Sequence, residues 1–258
     1  MTVLQVHGLT KAFGGVHAVA DLSFSVSAGH VHSIIGPNGA GKTTLFNLIT
    51  GVYTPTAGRI VLAGEDVTAL TTAARAERGV ARTFQNLQIF FNMSALENVM
   101  VGRHLHSPRR LLASLVHLPV IKRANRDARD RAAALMERVG LAAYIDAESG
   151  SMPYGALKRL EIARALAAEP KILLLDEPAA GLNPRETLEI DQLIQSIAAD
   201  GTTVLLVEHN MKLVMGVSDH ILVLDYGRRL AEGTAAAVRE NPDVIRAYLG
   251  AGMEGGHA

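Results

Sequence analysis

The chain has 258 residues, of which 48% are hydrophobic, so it is long and apolar enough for one large domain with a sizeable core. Lysine plus arginine and aspartate plus glutamate number 25 each, so no overall charge attracts the chain to nucleic acid. The absence of cysteine excludes disulfide bonds and thiolate metal sites.

The N-terminal segment predicts strands rather than a targeting peptide. It lacks the basic-then-apolar pattern of a signal sequence, while residues 3–9 and 22–26 are typical of β-strands. The longest apolar stretches, such as residues 111–121, are far shorter than the roughly 20 residues of a membrane span. We therefore expect a soluble, cytoplasmic chain that reaches a membrane only through a partner.

Phe13 lies between these two strands, directly before Gly14 and Gly15. Two interpretations are open for its ring. Taken alone, it is more typical of a core aromatic at the end of a hairpin, and the alternative is a surface on which a purine base stacks.

A phosphate-binding pattern follows the apolar run at residues 31–35. It is Gly36-Pro37-Asn38-Gly39-Ala40-Gly41-Lys42-Thr43-Thr44, which fits G-x-x-x-x-G-K-[ST]. Glycines let successive N–H groups point into one anion-sized hollow, and a helix that begins near Lys42 adds its positive N-terminal dipole. Lys42 would reach the β- and γ-phosphates, and the Thr43 hydroxyl would bind Mg²⁺. The alternative is an ordinary glycine-rich turn, which the lysine-threonine pair disfavours.

Polar side chains end the next predicted strand. After a loop at residues 51–58 and a strand at 59–62, residues 80–86 form a short strand that ends near Gln85. Gln85 is either a solvated strand end or a side chain close to the metal ion and the attacking water.

The pattern then becomes helical from about residue 94 to residue 148, with helices at 95–101 and 127–139. Residues 103–131 contain eight lysines and arginines, at 103, 109, 110, 122, 123, 126, 129 and 131, against two aspartates. A solvated helical face is the usual explanation. A surface near anionic lipid headgroups is the alternative if the protein has a membrane partner.

The remaining elements alternate between helices and buried strands, as in a parallel sheet. We expect helices at 158–169 and 185–199, strands at 172–176, 203–207 and 221–224, a turn at 226–228, and a C-terminal helix at 242–249.

Asp176 and Glu177 end one apolar run, and His209 follows another. Ligands bind α/β sheets at such strand ends. Asp176 would hold Mg²⁺, and Glu177 would orient and deprotonate the attacking water. Alone, His209 is more often a structural histidine.

These motifs resemble, in order, those of the nucleotide-binding subunit of ATP-binding cassette (ABC) transporters. Phe13 matches the adenine-stacking aromatic, and residues 36–44 resemble the Walker A motif. Gln85 matches the Q-loop glutamine, and residues 172–177 resemble the Walker B motif with its catalytic glutamate. Residues 180–183 resemble the D-loop, and His209 matches the switch histidine. No Asn-Lys-x-Asp motif for guanine is present, which disfavours a GTPase.

The signature motif of that family departs from Leu-Ser-Gly-Gly-Gln. Here it is Met152-Pro153-Tyr154-Gly155-Ala156, in which the second glycine is kept. By resemblance, Tyr154 and Gly155 would contact the nucleotide of a partner cassette. Pro153 stands where a serine would offer a hydroxyl and an N–H, and proline has neither. Asn183 likewise replaces the usual D-loop aspartate.

The resemblance implies an α/β P-loop NTPase fold. It would have a RecA-like core, an N-terminal antiparallel β subdomain and an inserted α-helical subdomain, with the core and β subdomain at 1–93 and 156–258 and the helical part at 94–155. It also implies ATP and Mg²⁺ as cofactors, Glu177, His209 and Gln85 as catalytic residues, and Thr43, Gln85 and Asp176 around the metal ion.

The partners implied are two transmembrane permease subunits, a second cassette and, indirectly, a periplasmic binding protein, with no nucleic acid. The second cassette is expected to be a different protein, with another copy of this chain as the alternative. The location implied is the cytoplasmic side of the inner membrane.

One branch of the family is most similar, the ATP-binding subunits of branched-chain amino acid importers. The resemblance lies in residues 81–86, 154–155, 181–184, 207–211 and 245–250 and in the long helical insertion. Importers of amides, urea or organic acids share much of this pattern and remain alternatives. A soluble ABC ATPase is disfavoured because the chain has neither a second cassette nor a long coiled-coil insertion. An exporter or lipopolysaccharide-type cassette fits residues 154–155 and the C-terminus less well.

Overall fold

The computed structural model describes residues 1–106 and 119–254. In chain order, its strands are β1 (Thr2–Phe13), β2 (Val16–Ser27), β3 (Val31–Ile35), β4 (Ala57–Leu62), β5 (Glu65–Asp66), β6 (Val80–Arg82), β7 (Ile172–Asp176), β8 (Thr203–Val207), β9 (His220–Asp225) and β10 (Arg228–Gly233). Its α-helices are α1 (Lys42–Thr50), α2 (Thr72–Glu77), α3 (Ala95–Gly102), α4 (Pro119–Arg138), α5 (Tyr154–Leu166), α6 (Pro184–Ala199), α7 (Met211–Val217), α8 (Ala235–Arg239) and α9 (Pro242–Glu254).

The central sheet has six strands in the order β10-β9-β3-β8-β7-β6. Five of them run parallel, and β10 pairs antiparallel with β9 at the edge. Every residue of β3, β7 and β8 is buried, because the sheet is covered on both faces. The predicted α/β core with parallel strands is confirmed.

A second, antiparallel sheet has the order β2-β1-β4-β5 and confirms the predicted N-terminal β subdomain. Its apolar side chains form one hydrophobic cluster with α1 and one face of the central sheet, centred on Phe46 and Leu48. A second cluster joins the other face of the central sheet to α3, α4 and α5 through Leu160 and Met136. The central sheet is therefore held between a β layer and a helical layer.

The inserted helices begin at a well-defined N-terminus. Ser94 caps α3, and its side chain and that of Glu97 form a reciprocal capping box. The basic stretch lies partly in this region, but Arg109 and Arg110 are outside the described residues. Arg103 and Arg131 both pair with Glu169, at 3.0 and 3.4 Å. Arg131 is exposed, as a solvated face requires, but Arg103 is buried and departs from that interpretation.

Several element boundaries differ from the predicted ones. Helix α5 begins at Tyr154 rather than residue 158, because Pro153 is already extended at the N-cap and the chain turns helical directly after it. The helical pattern expected up to residue 148 ends earlier, because α4 ends at Arg138 and short 3-10 turns follow at Ala142–Tyr144 and Ser149–Ser151.

The edge strand β10 was not predicted at all. Its residues are exposed or half-buried and lack the apolar alternation by which strands are recognised. The division of the chain at residues 94–155 stays a prediction, and α5 runs without a break through its second boundary.

Candidate functional site

Four neighbouring parallel strands bring the predicted residues to one edge of the sheet. Strand β3 leads into residues 36–44, β6 into Gln85, β7 into Glu177 and β8 into His209. Val207 pairs with both Ile34 and Asp176, so β3, β8 and β7 end at nearly the same level. The sequence motifs therefore converge because their strands are parallel.

The phosphate-binding loop depends on glycine at two close approaches. Gly36 and Gly41 have φ angles of 153° and 97°. A Cβ atom would lie 2.1 Å from the Leu224 oxygen in the first case and 2.3 Å from the Ala18 oxygen in the second. Helix α1 has no side-chain cap at Gly41, and the first N–H groups of a helix have no intrahelical partners. The loop thus presents free N–H groups at a positive helix end, which suits a phosphate.

Lys42 is buried at the base of this loop. Its Nζ donates to the backbone oxygens of Gly36 and Pro37, at 2.6 and 2.9 Å. Burial lowers the pKa of Lys42, and the negative charges of Glu177 and Asp176 oppose that shift. The ammonium group therefore lies in the field of the carboxylates that end β7.

Two C-terminal residues that sequence reasoning missed support the loop from behind. Gly227 donates its N–H to the Ala40 oxygen at 3.1 Å, and its oxygen accepts the Ala20 N–H at 2.9 Å. Burial raises the pKa of Tyr248 to about 12, and a hydrogen bond with the Gly36 backbone opposes that shift. Gly227 lies in a turn and Tyr248 in the C-terminal helix, and no local sequence pattern indicates that either contacts the distant phosphate-binding loop.

Glu177 is the centre of the polar group. Its Oε1 lies 2.8 Å from Nε2 of His209, and its Oε2 accepts a hydrogen bond from Nε2 of Gln85 at 3.0 Å. The Glu177 backbone is left-handed, with φ 49°, and its N–H donates to the Val207 oxygen. This conformation costs a non-glycine residue about 1–2 kcal/mol, so the surrounding contacts must hold it.

Asp176 is buried and forms an ion pair that the sequence did not predict. Its Oδ2 lies 2.7 Å from the guanidinium of Arg82, and both side chains are less than a tenth exposed. Arg82 also donates to Asn47 Oδ1 at 2.5 Å and lies over the ring of Phe84. Arg82 thus connects the carboxylate at the end of β7 with α1 and with the Gln85 segment.

Glu208 is a second missed residue. Its buried carboxylate accepts the backbone N–H groups of Ala179, His209 and Asn210, at 2.8, 2.9 and 3.1 Å. It therefore fixes the start of the His209 segment against the turn after Glu177. Its position at the end of an apolar strand is typical of a site residue, but the same position is also consistent with His209 alone as the functional residue.

Phe13 ends β1 and is 44% exposed, so its ring is available to a stacking partner. The ring of Tyr53 meets it edge-on at 5.3 Å, and Lys11 Nζ lies 5.0 Å from its centroid. This exposure disfavours the core interpretation of Phe13.

Tyr154 and Gly155 lie apart from the phosphate-binding loop. They form the first turn of α5, where Tyr154 packs against Gly181 and Gly155 lies against the Glu186 side chain. Asn183 caps α6 in a reciprocal capping box with Glu186. The structure therefore joins the signature and D-loop segments to each other.

The donors expected for Mg²⁺ are all oxygen atoms, from Thr43, Gln85 and Asp176. Mg²⁺ prefers such ligands, few of them from the protein and the rest from phosphates and water. Among the described residues, no group of three or more histidines and acids could hold a metal ion alone. This donor set fits Mg²⁺ bound together with a nucleotide.

Comparison with known proteins identifies the family. The family model described as ABC transporter matches residues 19–180. The chain belongs to the ABC transporter family. A second model, described as branched-chain amino acid ATP-binding cassette transporter, matches residues 228–254. The chain is therefore a nucleotide-binding cassette with the ABC fold.

Two similar relatives of this ABC cassette are named high-affinity branched-chain amino acid transport ATP-binding proteins. BraF of Pseudomonas aeruginosa is 49% identical and LivG of Escherichia coli 47% identical, each over 96% of this chain and 98% of the relative. A crystal structure of the ADP conformation of an ABC transporter cassette matches with a TM-score of 0.84 and 33% identity, over 97% of this chain and 99% of that one. In the described parts of the cassette, no helix has both the length and the hydropathy to span a bilayer.

Proposed function

We propose that this ABC cassette hydrolyses ATP to power the import of branched-chain or related hydrophobic amino acids. The observation that carries the catalytic part is the Glu177 carboxylate, held between His209 and Gln85 at the strand edge that bears the phosphate-binding loop. The names of the 47–49% identical relatives support the cargo.

In this proposal, adenine stacks on the exposed ring of Phe13, and the phosphates accept hydrogen bonds from backbone N–H groups of the phosphate-binding loop and the first turn of α1. Lys42 exchanges its two backbone acceptors for phosphate oxygens and neutralises their charge. Mg²⁺, when bound through Thr43, Asp176 and Gln85, supplies further charge neutralisation on the β- and γ-phosphates.

The chemical step is an attack of water on the γ-phosphorus. Glu177 orients the water and accepts its proton, the bond to the β-γ bridging oxygen breaks, and ADP and inorganic phosphate result. His209 and Gln85 fix the two carboxylate oxygens and contact the γ-phosphate side of the site.

The permease partners would bind in a groove between the core and the inserted helices. It has a volume of about 490 Å³ and is lined by apolar side chains that include Phe84, Phe90 and Val101, together with the charged residues Glu161 and Arg164. Phe84 and Phe90 are each 44% exposed. An amphipathic helix of a membrane subunit fits such a surface. This docking would place the cassette at the cytoplasmic side of the membrane.

A second cassette would complete the ATP site by offering its own phosphate-binding loop to Tyr154 and Gly155, whose contacts in this chain are with Gly181 and Glu186. A periplasmic binding protein would act only through the permease, and no nucleic acid partner is needed.

The test is reconstitution of the cassette with its permease subunits and the matching binding protein. We expect ATP-dependent uptake of labelled leucine, isoleucine or valine, and no uptake with the Glu177→Gln variant. Uptake of an amide, urea or an organic acid instead would keep the ATPase role and replace the cargo. Hydrolysis without any transport would contradict the import function.

A further inference from the structure

The segment around Gln85 is held by two different layers of the molecule. Before Phe84, its contacts go to strand β7. Thr83 donates its N–H to the Leu174 oxygen at 2.9 Å, and its hydroxyl accepts the Asp176 N–H at 3.3 Å. Arg82 pairs with the Asp176 side chain.

The backbone of residues 84–88, in contrast, contacts helix α5. Glu161 Oε1 accepts the Phe84 N–H at 3.3 Å, and Lys158 Nζ donates to the Gln85 oxygen at 3.2 Å. Glu161 also accepts a hydrogen bond from the Gln88 backbone. The change of partner falls between Thr83 and Phe84, two adjacent residues.

Lys158 and Glu161 are charged residues that are buried, and burying a charge lowers the stability of the folded state. Each is only 2–3% exposed, and buried charges destabilise a fold unless hydrogen bonds and counter-charges compensate them. Burial raises the pKa of Glu161, against the bonds from Phe84 and Gln88 and the charges of Lys158 and Arg164. Apolar side chains would fill the same space without this desolvation penalty. We therefore attribute the two charges to their hydrogen bonds with the backbone of residues 84–88, which fix its arrangement.

We propose that Lys158 and Glu161 are positioning residues that fasten the backbone of residues 84–88 to α5 and thereby hold Gln85 against Glu177. They lie three residues apart on one side of α5, one as donor and one as acceptor, so they grip the segment at two points. The same helix begins at Tyr154, which packs against Gly181. A displacement of α5 would therefore move Gln85 and the signature residues Tyr154 and Gly155 together.

The first experiment measures this attachment without ATP. Amide hydrogen exchange is followed in the full chain and in the Lys158→Met and Glu161→Met variants, which conserve side-chain bulk. We expect exchange at residues 84–88 to accelerate at least about tenfold, with residues 42–50 unchanged. Arg159→Met is the matched control, because Arg159 is on the same helix but pairs with Glu189 at 3.0 Å. Lys158→Arg and Glu161→Gln keep a donor and an acceptor, and should restore slow exchange.

The second experiment rests on the proposed function and measures ATP hydrolysis by the complex with its permease subunits. We expect Lys158→Met to lower kcat about tenfold with KM within about twofold, and Lys158→Arg to recover most of the loss.

Unchanged exchange at residues 84–88 in both methionine variants would overturn the attachment. Faster exchange with unchanged kcat would overturn the positioning role. If Glu161→Met fails to fold, Lys158→Met alone decides. A wild-type complex without ATPase activity would refute the proposed function, while the exchange result would still stand.

Discussion

Nε2 of His209 lies 2.8 Å from Oε1 of Glu177, although 32 positions separate the two residues in the chain. Gln85 approaches the other carboxylate oxygen at 3.0 Å. These three side chains follow β8, β7 and β6, which are neighbours in the sheet. The carboxylate is thus oriented from both sides by parallel strands, as a general base needs to be.

Replacing Glu177 by glutamine should nearly abolish turnover while ATP still binds. The amide keeps the shape and one acceptor but cannot take a proton, so we expect kcat to fall by about 10²- to 10⁴-fold. Steady-state ATPase assays and calorimetry on the purified complex measure the two effects. Glu189→Gln, which alters a surface ion pair, is the control. Wild-type turnover in the Glu177→Gln complex would refute the assigned role.

Replacing Lys42 by alanine should remove productive nucleotide binding. Lys42 is the only cation within residues 36–44, and charge-assisted hydrogen bonds contribute about 1.5–3 kcal/mol each. We expect the Kd for ATP to rise about 10- to 100-fold by calorimetry. Lys171→Ala removes an exposed lysine before the opposite end of β7 and should leave the Kd unchanged. Equal ATP affinity in both variants would contradict the prediction.

The sequence predicted the site wherever a motif coincides with a strand end. Apolar runs marked β3, β7 and β8, and parallel pairing then brings Lys42, Glu177 and His209 together with no further information. The order of the motifs also identified the fold, including the antiparallel sheet and the inserted helices.

Long-range polar partners could not be predicted, because nothing local marks them. Arg82 meets Asp176 from 94 positions away, and Lys158 meets Gln85 from 73. Strand β10 was missed because its pairing with β9, rather than any apolar alternation, makes it a strand. Such features depend on tertiary contacts that a single sequence does not contain.

The stability of the cassette should fall as the pH decreases from about 6.5 towards 4, because of His32. This residue is 7% exposed, and its Nε2 accepts the Ser27 N–H at 3.0 Å, so the folded state requires the neutral ring. Burial and the charges of His220 and His30 lower its pKa to about 4, and the charges of Asp219 and Glu232 oppose that shift. The unfolded chain binds the proton more readily, so folding loses free energy as the pH falls.

The expected loss from His32 is about 2 kcal/mol in the free energy of unfolding between about pH 7.5 and pH 5. Urea unfolding at both pH values measures it, in the wild type and in His32→Gln, which keeps an acceptor but does not titrate. The variant should lose about 2 kcal/mol less than the wild type over this interval. The control, His17→Gln, alters an exposed histidine and should lose as much as the wild type. The same loss in wild type and His32→Gln would exclude His32 as the cause.

Two unlike ATP sites should form if the partner cassette is a different protein, because Pro153 weakens the signature that this chain contributes. Pro153 occupies the N-cap of α5, where it provides no side-chain cap and, as a proline, no N–H for a phosphate. The site that uses Pro153 hydrolyses ATP with the partner's glutamate, and the other site uses Glu177. Inactivating Glu177 should therefore leave less residual turnover than inactivating the partner's glutamate.

Pro153→Ser should raise the residual turnover of the Glu177→Gln complex, because serine restores both the hydroxyl and the N–H. It should also stabilise the cassette by about 0.5–1 kcal/mol, since serine caps a helix and proline cannot. Pro153→Ala restores only the N–H and separates the two contributions. ATPase assays of the two glutamate variants, each with and without Pro153→Ser, measure the effect. Equal residual turnover at the two sites, unchanged by the serine, would show that the cassette works without a signature hydroxyl.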